Sequence, residues 1–277
     1  MDAMTTSQDQ ETANAFAQSW NHLANGSVYT TDQFTDWMSP LGQVDIQGKR
    51  VLELGCGNGS LMIHMIDWNP AFLEGVDLGD SIVTARKNLS NVPHTKWEVS
   101  QADLTAFTSP EPFDVTYCIG VLHHLKDPKA GFDAVLRNTK SRGCFHCWVY
   151  AREGNGIVRY VVDPIRKIAS QLPWWFTKYL LATPLVVPVF FYAKLLSRLP
   201  RFEAFCHLPL YEYSLWIAKR DFSFFRHVAF DQLVTPQTTY IPRETIASWL
   251  QQESIDQKST YIASRNANSW KFGGRIK

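Results

Sequence analysis

The chain has 277 residues, which suffices for one large domain, or a domain with an elaborated insert, without disulfide staples. Lys and Arg number 27 against 26 Asp and Glu, so no overall basic field points to nucleic acid. A hydrophobic content of 45% excludes a disordered chain. Aromatic residues reach 13%, an excess that fits a thick core, an apolar substrate pocket or contact with a membrane surface.

Residues 1–44 predict an N-terminal helical cap. Residues 1–14 are polar, and aromatic residues then recur at helical spacing on both sides of a turn-like Asn-Gly-Ser at 25–27. The acidic, polar start of the chain lacks the features of a signal peptide, so we expect a cytoplasmic protein.

Residues 45–154 alternate strands with helices. Five strands are predicted, at 49–56, 73–78, 96–103, 113–120 and 143–150. Strands separated by helices of this length form βαβ units, hence a parallel sheet with right-handed crossovers. Residues 240–277 then predict a helix beginning at Pro242 and two strands, 259–266 and 269–276, joined as an antiparallel hairpin. The fold class is therefore α/β, with a doubly wound seven-stranded sheet that is mostly parallel and has an antiparallel last strand.

Residues 155–239, called the insert below, break this pattern. They contain no clean strand, are punctuated by proline, and hold twelve aromatic residues between 172 and 216. We expect several short helices. The apolar stretch from Tyr179 to Ala193 is too short for a membrane-spanning helix, and Pro184 and Pro188 are expected to interrupt it.

The cysteines predict no metal site. Of the five, only Cys144 and Cys147 form a CxxC pair, and strand alternation places their side chains on opposite faces. A zinc site would need a second pair of ligands, which the sequence lacks, so ordinary buried thiols are expected.

The segment VLELGCGNGSL at 51–61 is the strongest motif. A strand runs into Gly55, Cys56 and Gly57 and then into a helix, so the backbone can approach a ligand beside exposed helical N–H groups. Nucleotide-like ligands bind at this first turn of a doubly wound sheet. The spacing GxGxG differs from the dinucleotide fingerprint, and Glu53 suits an ammonium-bearing ligand better than a pyrophosphate.

With Glu53, this segment resembles motif I of the class I S-adenosylmethionine (SAM)-dependent methyltransferases, and later landmarks extend the resemblance over about 45–150 and 240–277. The resemblance implies a Rossmann-like fold with SAM as cofactor. Asp77, followed by Leu78, would grip the ribose hydroxyls, and Asp103 would accept the adenine amine beside Leu104. The backbone near Ile119 and Gly120 would lie along the methionine part. The implied cofactor-binding set is Glu53, Gly55, Cys56, Gly57, Asp77, Leu78, Asp103, Leu104, Ile119 and Gly120.

The N-terminal cap resembles that of many small-molecule methyltransferases. Their phenylalanine–tryptophan pair, here Phe16 and Trp20, lies in a helix that closes over the cofactor. Tyr29 would follow as a hydroxyl donor to the SAM carboxylate. Packing within the cap is the alternative for both Trp20 and Tyr29.

His123 and His124 are the main catalytic candidates. They stand in GVLHHL, where methyltransferases of adenine or glutamine amides have Asn-Pro-Pro-Tyr, so the resemblance favours the small-molecule branch. Adjacent side chains on a turn are expected to point apart, so at most one faces substrate. We prefer His124 as general base, although the pair has a structural alternative. Tyr211 is a third candidate, in the insert with His207, Tyr213 and His227, where ordinary aromatic packing is the alternative.

The resemblance implies a methyltransferase that acts on a small, apolar or amphipathic organic molecule by in-line displacement, with neither a metal ion nor a nucleic acid as partner. One alternative is a SAM-using enzyme that cyclises SAM and releases methylthioadenosine; another is a non-catalytic SAM-binding protein. The insert has three interpretations: a lid over an apolar substrate pocket, a patch of aromatic and basic residues that makes peripheral contact with a membrane, and a self-packing subdomain or homodimer interface.

Overall fold

The structure is a computed structural model that describes residues 7–21, 27, 29–90, 92, 95–200 and 203–277. The side chains of 7, 18–21, 203 and 204 lie outside this description. The chain divides into two compact units. The first comprises Met1–Tyr150, Gln237–Ala263 and Trp270–Lys277, and the second comprises Ala151–Pro236 and Ser264–Ser269.

A seven-stranded sheet is the frame of the first unit, and all seven predicted strands are confirmed. The strands are β1 (Arg50–Leu54), β2 (Phe72–Asp77), β3 (Lys96–Gln101), β4 (Phe113–Ile119), β5 (Thr139–Tyr150), β6 (Ile255–Arg265) and β7 (Ser269–Ile276). Their order is β3-β2-β1-β4-β5-β7-β6. The first five are parallel neighbours, and the final strands are antiparallel, as the sequence predicts. The order reverses beside β1, so the carboxyl ends of β1 and β4 face a crevice of the kind in which doubly wound sheets bind ligands.

Helices flank this sheet. They are α1 (Ser7–Asn21), α2 (Thr31–Met38), α3 (Gln43–Ile46), α4 (Ser60–Ile66), α5 (Ser81–Leu89), α6 (Pro128–Arg137) and the helix Arg243–Trp249. The start of α6 shows how the sequence sets a boundary. Asp127 accepts hydrogen bonds from the backbone N–H groups of Lys129 and Ala130, and Pro128 occupies the first turn, where no N–H is needed.

The alternation of side chains along β1 and β5 divides the core between the two faces of the sheet. Val51 belongs to one apolar cluster, with Phe34 and Met62, whereas Leu52 belongs to the other, with Phe132. The two cysteines of the CxxC pair separate in the same way, Cys144 into the first cluster and Cys147 into the second. The predicted opposite orientation of these thiols is confirmed, and it disfavours a shared metal ion.

The second unit is helical and has its own apolar clusters. A π-helical turn at Val158–Val162 continues into the helix Asp163–Ala169. The helix Trp174–Leu196, named the apolar helix below, follows. A 3₁₀ turn at Glu203–His207 and the helices Tyr211–Ile217 and Phe222–Val234 complete the unit.

The apolar helix corrects one expectation. Pro184 and Pro188 do not interrupt it: the helix runs for 23 residues, and within the described chain it is long and apolar enough to cross a membrane. The preceding segment, Thr177–Ala182, is π-helical, and Pro184 stands in the first turn of the α-helical part that follows. A wider π turn accommodates the missing N–H group of a proline, so the helix continues through it.

The close approach of β7 to β5 gives a test of the packing. A Cβ atom on Gly273 would overlap the carbonyl oxygen of Phe145 and the hydroxyl group of Tyr261. We expect Gly273→Ala to lower the free energy of unfolding by about 1–3 kcal/mol, since the backbone must shift to relieve the overlap. Urea unfolding measures this change. Gly156→Ala is the control, because a Cβ there meets nothing within 4 Å. Equal stability of the two variants would contradict the prediction.

Candidate cofactor and active site

The glycine loop after β1 is held open by backbone geometry. The N–H groups of Gly55 and Cys56 both donate to the carbonyl oxygen of Val76, at 2.7 and 3.1 Å, so the loop is fixed to the end of β2. Gly57 has a φ of +53°, and a Cβ added there would meet nothing within 4 Å. The space above Gly57 is therefore available to a ligand, as the motif predicts. The Cys56 side chain is buried below the loop, so its backbone alone faces that space.

Asp77 fastens this loop to the next one. One carboxylate oxygen accepts the N–H of Gly57 at 2.9 Å, and the other accepts the N–H of Gly79 at 2.8 Å and the hydroxyl of Ser81 at 3.4 Å. Burial raises the pKa of Asp77, while these hydrogen bonds act in the opposite direction. A carboxylate has about four acceptor sites, so ribose hydroxyls can be accepted besides the two loops. The predicted role of Asp77 is therefore sterically and chemically feasible.

Glu53 is buried beneath the loop, on the same face of the sheet as Val51. The hydroxyl of Tyr117, its register neighbour on β4, donates to the Glu53 carboxyl at 2.7 Å. Burial raises the pKa of Glu53 to about 8, and the negative charge of Asp77 adds to the shift. A protonated carboxyl is neutral and can still accept a hydrogen bond, whereas a nearby ammonium group would favour its ionised form. Tyr117 was not a sequence candidate, because only the register of β1 against β4 reveals it.

The other predicted cofactor residues occupy the same edge of the sheet. Asp103 accepts hydrogen bonds from the backbone and the hydroxyl of Thr105, at 2.8 and 2.7 Å, so it also fixes the turn after β3. Leu78 is half-buried at the end of β2, and Leu104 belongs to the core. Ile119 is buried at the end of β4, and Gly120 has a φ of +78°. Their contacts with a cofactor stay predictions.

Helix α1 lies across the carboxyl ends of β2 and β4. The carbonyl oxygen of Ala13 approaches Gly79, and the Asp9 carboxylate accepts the N–H of Lys126 at 2.8 Å. The ring of Phe16 contacts that of His124 edge-on, with centroids 5.0 Å apart. This placement supports the predicted closure of the cap over the cofactor crevice.

The two other cofactor-binding candidates of the N-terminal cap are Trp20 and Tyr29. The Trp20 side chain lies outside the described residues. Tyr29 is half-buried and packs edge-on against Trp37, with ring centroids 4.7 Å apart, which is the cap packing considered as its alternative. A hydrogen bond from Tyr29 to a bound cofactor stays a prediction.

The histidine pair corrects a second expectation. His123 and His124 lie in a 3₁₀ turn, and their rings do not point apart: the centroids are 4.2 Å apart. Both rings pack against Tyr150, at 4.1 and 6.0 Å, because a common aromatic neighbour draws them to the same side. His123 is fully buried among Trp148 and Tyr150, so it has the surroundings of a core residue.

His124 is oriented by the segment of the first unit that resumes at Gln237, directly after the second unit. Its Nδ1 lies 2.9 Å from the carbonyl oxygen of Gln237. A carbonyl only accepts, so Nδ1 carries the proton and Nε2 is the basic nitrogen of the neutral ring. Gln237 was not a sequence candidate, since it lies 113 residues from His124 and no local pattern connects them.

The insert candidates all lie in the second unit, and their role in catalysis stays a prediction. Tyr211 is buried at the first turn of its helix, and His207 is exposed. The burial of Tyr213 raises its pKa. His227 lies 3.2 Å from the carboxylate of Asp231 one turn further along.

Comparisons with known proteins agree with this geometry. A model described as a methyltransferase domain matches residues 52–145. The ubiquinone biosynthesis O-methyltransferase of Neisseria meningitidis serogroup C is 38% identical over 105 residues, which cover 37% of this chain and 44% of that protein. The match thus spans less than half the length of this curated relative.

Two solved structures have a similar fold over 89% of this chain, each with a TM-score of 0.51. One is magnesium protoporphyrin IX methyltransferase from Synechocystis PCC 6803, 12% identical and covered over 82% of its length. The other is an O-methyltransferase family protein from Burkholderia thailandensis, 13% identical and covered over 60%. The chain has the fold of the class I SAM-dependent methyltransferases. Residues 52–145 are, more specifically, the part that matches the methyltransferase domain model.

The raised pKa of Glu53 predicts how stability depends on pH. Between pH 4.5 and about 8 the native carboxyl keeps a proton that the unfolded chain releases, so stability from this group falls as the pH rises through that window. Urea unfolding at both ends of the window should show that Glu53→Gln removes part of the decline, whereas Glu98→Gln, at an exposed position on β3, keeps it. A decline of equal size in all three proteins would rule out a buried, protonated Glu53.

Proposed function

We propose that this chain is a SAM-dependent methyltransferase acting on a small, apolar or amphipathic organic molecule. The observation that carries the proposal is the glycine loop, open above Gly57 and fastened by Asp77, inside the matched methyltransferase domain. Such a loop lets a ligand approach the backbone closely beside a carboxylate at one edge of the sheet, where a nucleoside with a charged tail can be recognised from both ends.

The residues present fit SAM. Asp77 would hold the ribose hydroxyls and Asp103 the adenine amine, while the loop at 55–57 and the backbone at 119–120 would line the amino-acid part. When bound, SAM supplies a methyl group on a sulfonium and leaves as S-adenosylhomocysteine (SAH). The chain's own task is then to hold the acceptor in line and to exclude water, and good alignment alone can supply on the order of 7 kcal/mol.

His124 is proposed as the general base, and an oxygen atom as the acceptor. The hydrogen bond from Nδ1 to Gln237 leaves Nε2 basic, so the ring can take the proton of a hydroxyl group as the new O–CH₃ bond forms. The O-methyltransferase name of the relatives supports the same acceptor. His123 stays a weaker candidate because it is fully buried, whereas His124 is 8% exposed, and Tyr211 stays weaker because it is buried within the second unit.

The partner is a small molecule. Cytoplasmic location, peripheral membrane contact through the insert and a homodimer are proposals that the relatives neither favour nor oppose.

The SAM-cyclising alternative is distinguished from methyl transfer by its product: methyl transfer yields SAH, whereas cyclisation yields methylthioadenosine. Incubation with SAM and a panel of phenols and other hydroxylated compounds, followed by mass spectrometry, distinguishes the two, and SAH formed only with an acceptor supports methyl transfer.

Asp77 provides the test of the cofactor site. We expect Asp77→Asn to weaken SAH binding about 10- to 100-fold in titration calorimetry, because a hydrogen bond to a charged acceptor contributes about 1.5–3 kcal/mol. The asparagine side chain can still accept from a loop N–H, so the loop should persist. Asp80→Asn, at an exposed position three residues along, should bind SAH like the wild type. Unchanged affinity in Asp77→Asn would refute the cofactor assignment.

His124 provides the test of the base. Against an acceptor found by the panel, His124→Ala should lower kcat about 100-fold or more while SAH affinity stays within about twofold. Added imidazole should restore part of the turnover, which a merely structural loss would not allow. His124→Gln keeps a polar side chain without a basic nitrogen and should be equally slow. Wild-type turnover in either variant would remove His124 from this role.

A further inference from the structure

Exposed apolar side chains are concentrated in one stretch of the second unit. Among the described residues, 17 large hydrophobic side chains are exposed, and 14 of them lie between Ile157 and Leu199. The only members of the set in the first unit are Val44 and Val83. Single exposed apolar residues are ordinary on a protein surface, whereas a concentration of this size marks an interaction site.

The apolar helix contributes most of this surface. One stripe along the helix consists of exposed apolar residues, most of them three or four positions apart. These residues are Leu180, Pro184, Val187, Pro188, Phe191 and Leu195. Phe191 is 68% exposed and Leu195 is 59% exposed. A surface helix normally turns a polar face to water. In this helix only 22% of the most apolar 18-residue stretch is buried, so apolar side chains face water instead.

Basic residues outnumber acidic ones in this part of the sequence. Residues 157–201 hold seven Lys and Arg but a single acid, Asp163, whereas the whole chain carries a net charge of only +1. Asp163 is already paired with Arg166, at 2.9 Å, and Arg166 is buried, so it does not belong to the surface patch considered from the sequence. Lys167 and Arg198 are exposed. An apolar surface with a positive border complements an anionic lipid headgroup layer.

Aromatic residues occupy the N-terminal end of the same helix. Trp174, Trp175 and Tyr179 are all exposed, and the Lys178 ammonium group lies 6.0 Å from the centroid of the Trp174 ring. Trp and Tyr rings beside cations are enriched at the boundary between hydrocarbon and water.

A second copy of the chain is a poorer occupant of this surface, because a symmetric dimer would bring two equally positive patches together.

The packing of the helix argues for partial insertion. Its buried side, Val186 and Ala193, shares a cluster with Phe225 of the helix Phe222–Val234, and the Lys194 ammonium group donates to the carbonyl oxygens of Ala218 and Arg220. A spanning position would carry these helices, with Arg226 and the pair His227–Asp231, into hydrocarbon at high cost. A helix lying in the interface leaves them in water.

We propose that the second unit docks this protein onto anionic membranes, with the apolar helix lying in the lipid interface and its exposed stripe embedded. This docking does not depend on methyl transfer, so experiments can test it separately from the proposed activity.

Vesicle flotation tests the proposal on the full chain. The wild type should float with vesicles of phosphatidylcholine and phosphatidylglycerol, and much less with phosphatidylcholine alone. The triple variant Val187→Ser, Phe191→Ser, Leu195→Ser should partition at least about tenfold more weakly. The double variant Lys167→Glu, Arg198→Glu should lose affinity for the anionic vesicles about fivefold or more per charge. Val44→Ser with Val83→Ser is the matched control and should bind like the wild type, since those residues are exposed in the first unit.

Three results would overturn the proposal. They are a wild type that ignores anionic vesicles, a triple variant that binds as well as the wild type, and a wild-type dimer that the triple variant converts to monomer without any lipid binding. Alkaline carbonate should release the vesicle-bound protein, and resistance to carbonate would replace interfacial docking with a spanning helix. Far-ultraviolet circular dichroism and SAH titration verify that each variant is folded, and loss of SAH binding by all of the proteins would count against the cofactor site alone.

Discussion

The hydrogen bonds of Asp77 are the interaction on which the candidate site depends. A single half-buried carboxylate holds the N–H of Gly57 in the loop after β1 and the N–H of Gly79 in the loop after β2. Besides the bonds of Gly55 and Cys56 to Val76, it is this carboxylate that joins the two glycine-containing loops at the edge of the sheet, and the Ala13 carbonyl of α1 approaches the second loop at Gly79. Burial raises the pKa of Asp77, so hydroxyl donors from a ligand would stabilise the ionised form that already organises the loops.

The second half of the site is built by a distant part of the chain. The segment that follows the second unit donates the Thr239 N–H to the carbonyl oxygen of His123 and the Ile241 N–H to that of Tyr150, while the Gln237 carbonyl orients His124. These contacts fix the short 3₁₀ turn that carries His124, the residue proposed as the base. The chain leaves the first unit after Tyr150 and rejoins it at Gln237, and both of these residues contact the histidine pair.

The sequence predicts the sheet well, because apolar runs of strand length separated by amphipathic helices have few alternative arrangements. It also locates the glycine loop, where the constraint is local. Contacts set by register or by long-range return are harder to predict. Tyr117 meets Glu53 through the pairing of β1 with β4, and Gln237 meets His124 across 113 residues. The histidine rings lie side by side because Tyr150 packs against both, which a rule for isolated turns cannot foresee. The expectation that the prolines interrupt the apolar helix was wrong for a similar reason, since a π-helical turn before Pro184 accommodates the missing N–H donor.

The same prolines bear on where the apolar helix can lie. Pro188 has no N–H to donate to the carbonyl oxygen of Pro184, one turn earlier, and both residues are on the exposed stripe. In the centre of a bilayer a carbonyl group without a donor costs several kcal/mol, because hydrocarbon offers no replacement. Among lipid headgroups water can reach that carbonyl, and the apolar side chains beside it can still enter the acyl region. A helix that carries Lys178 and Lys194 and has prolines on its outer stripe is therefore better suited to lie in the interface than to cross the membrane.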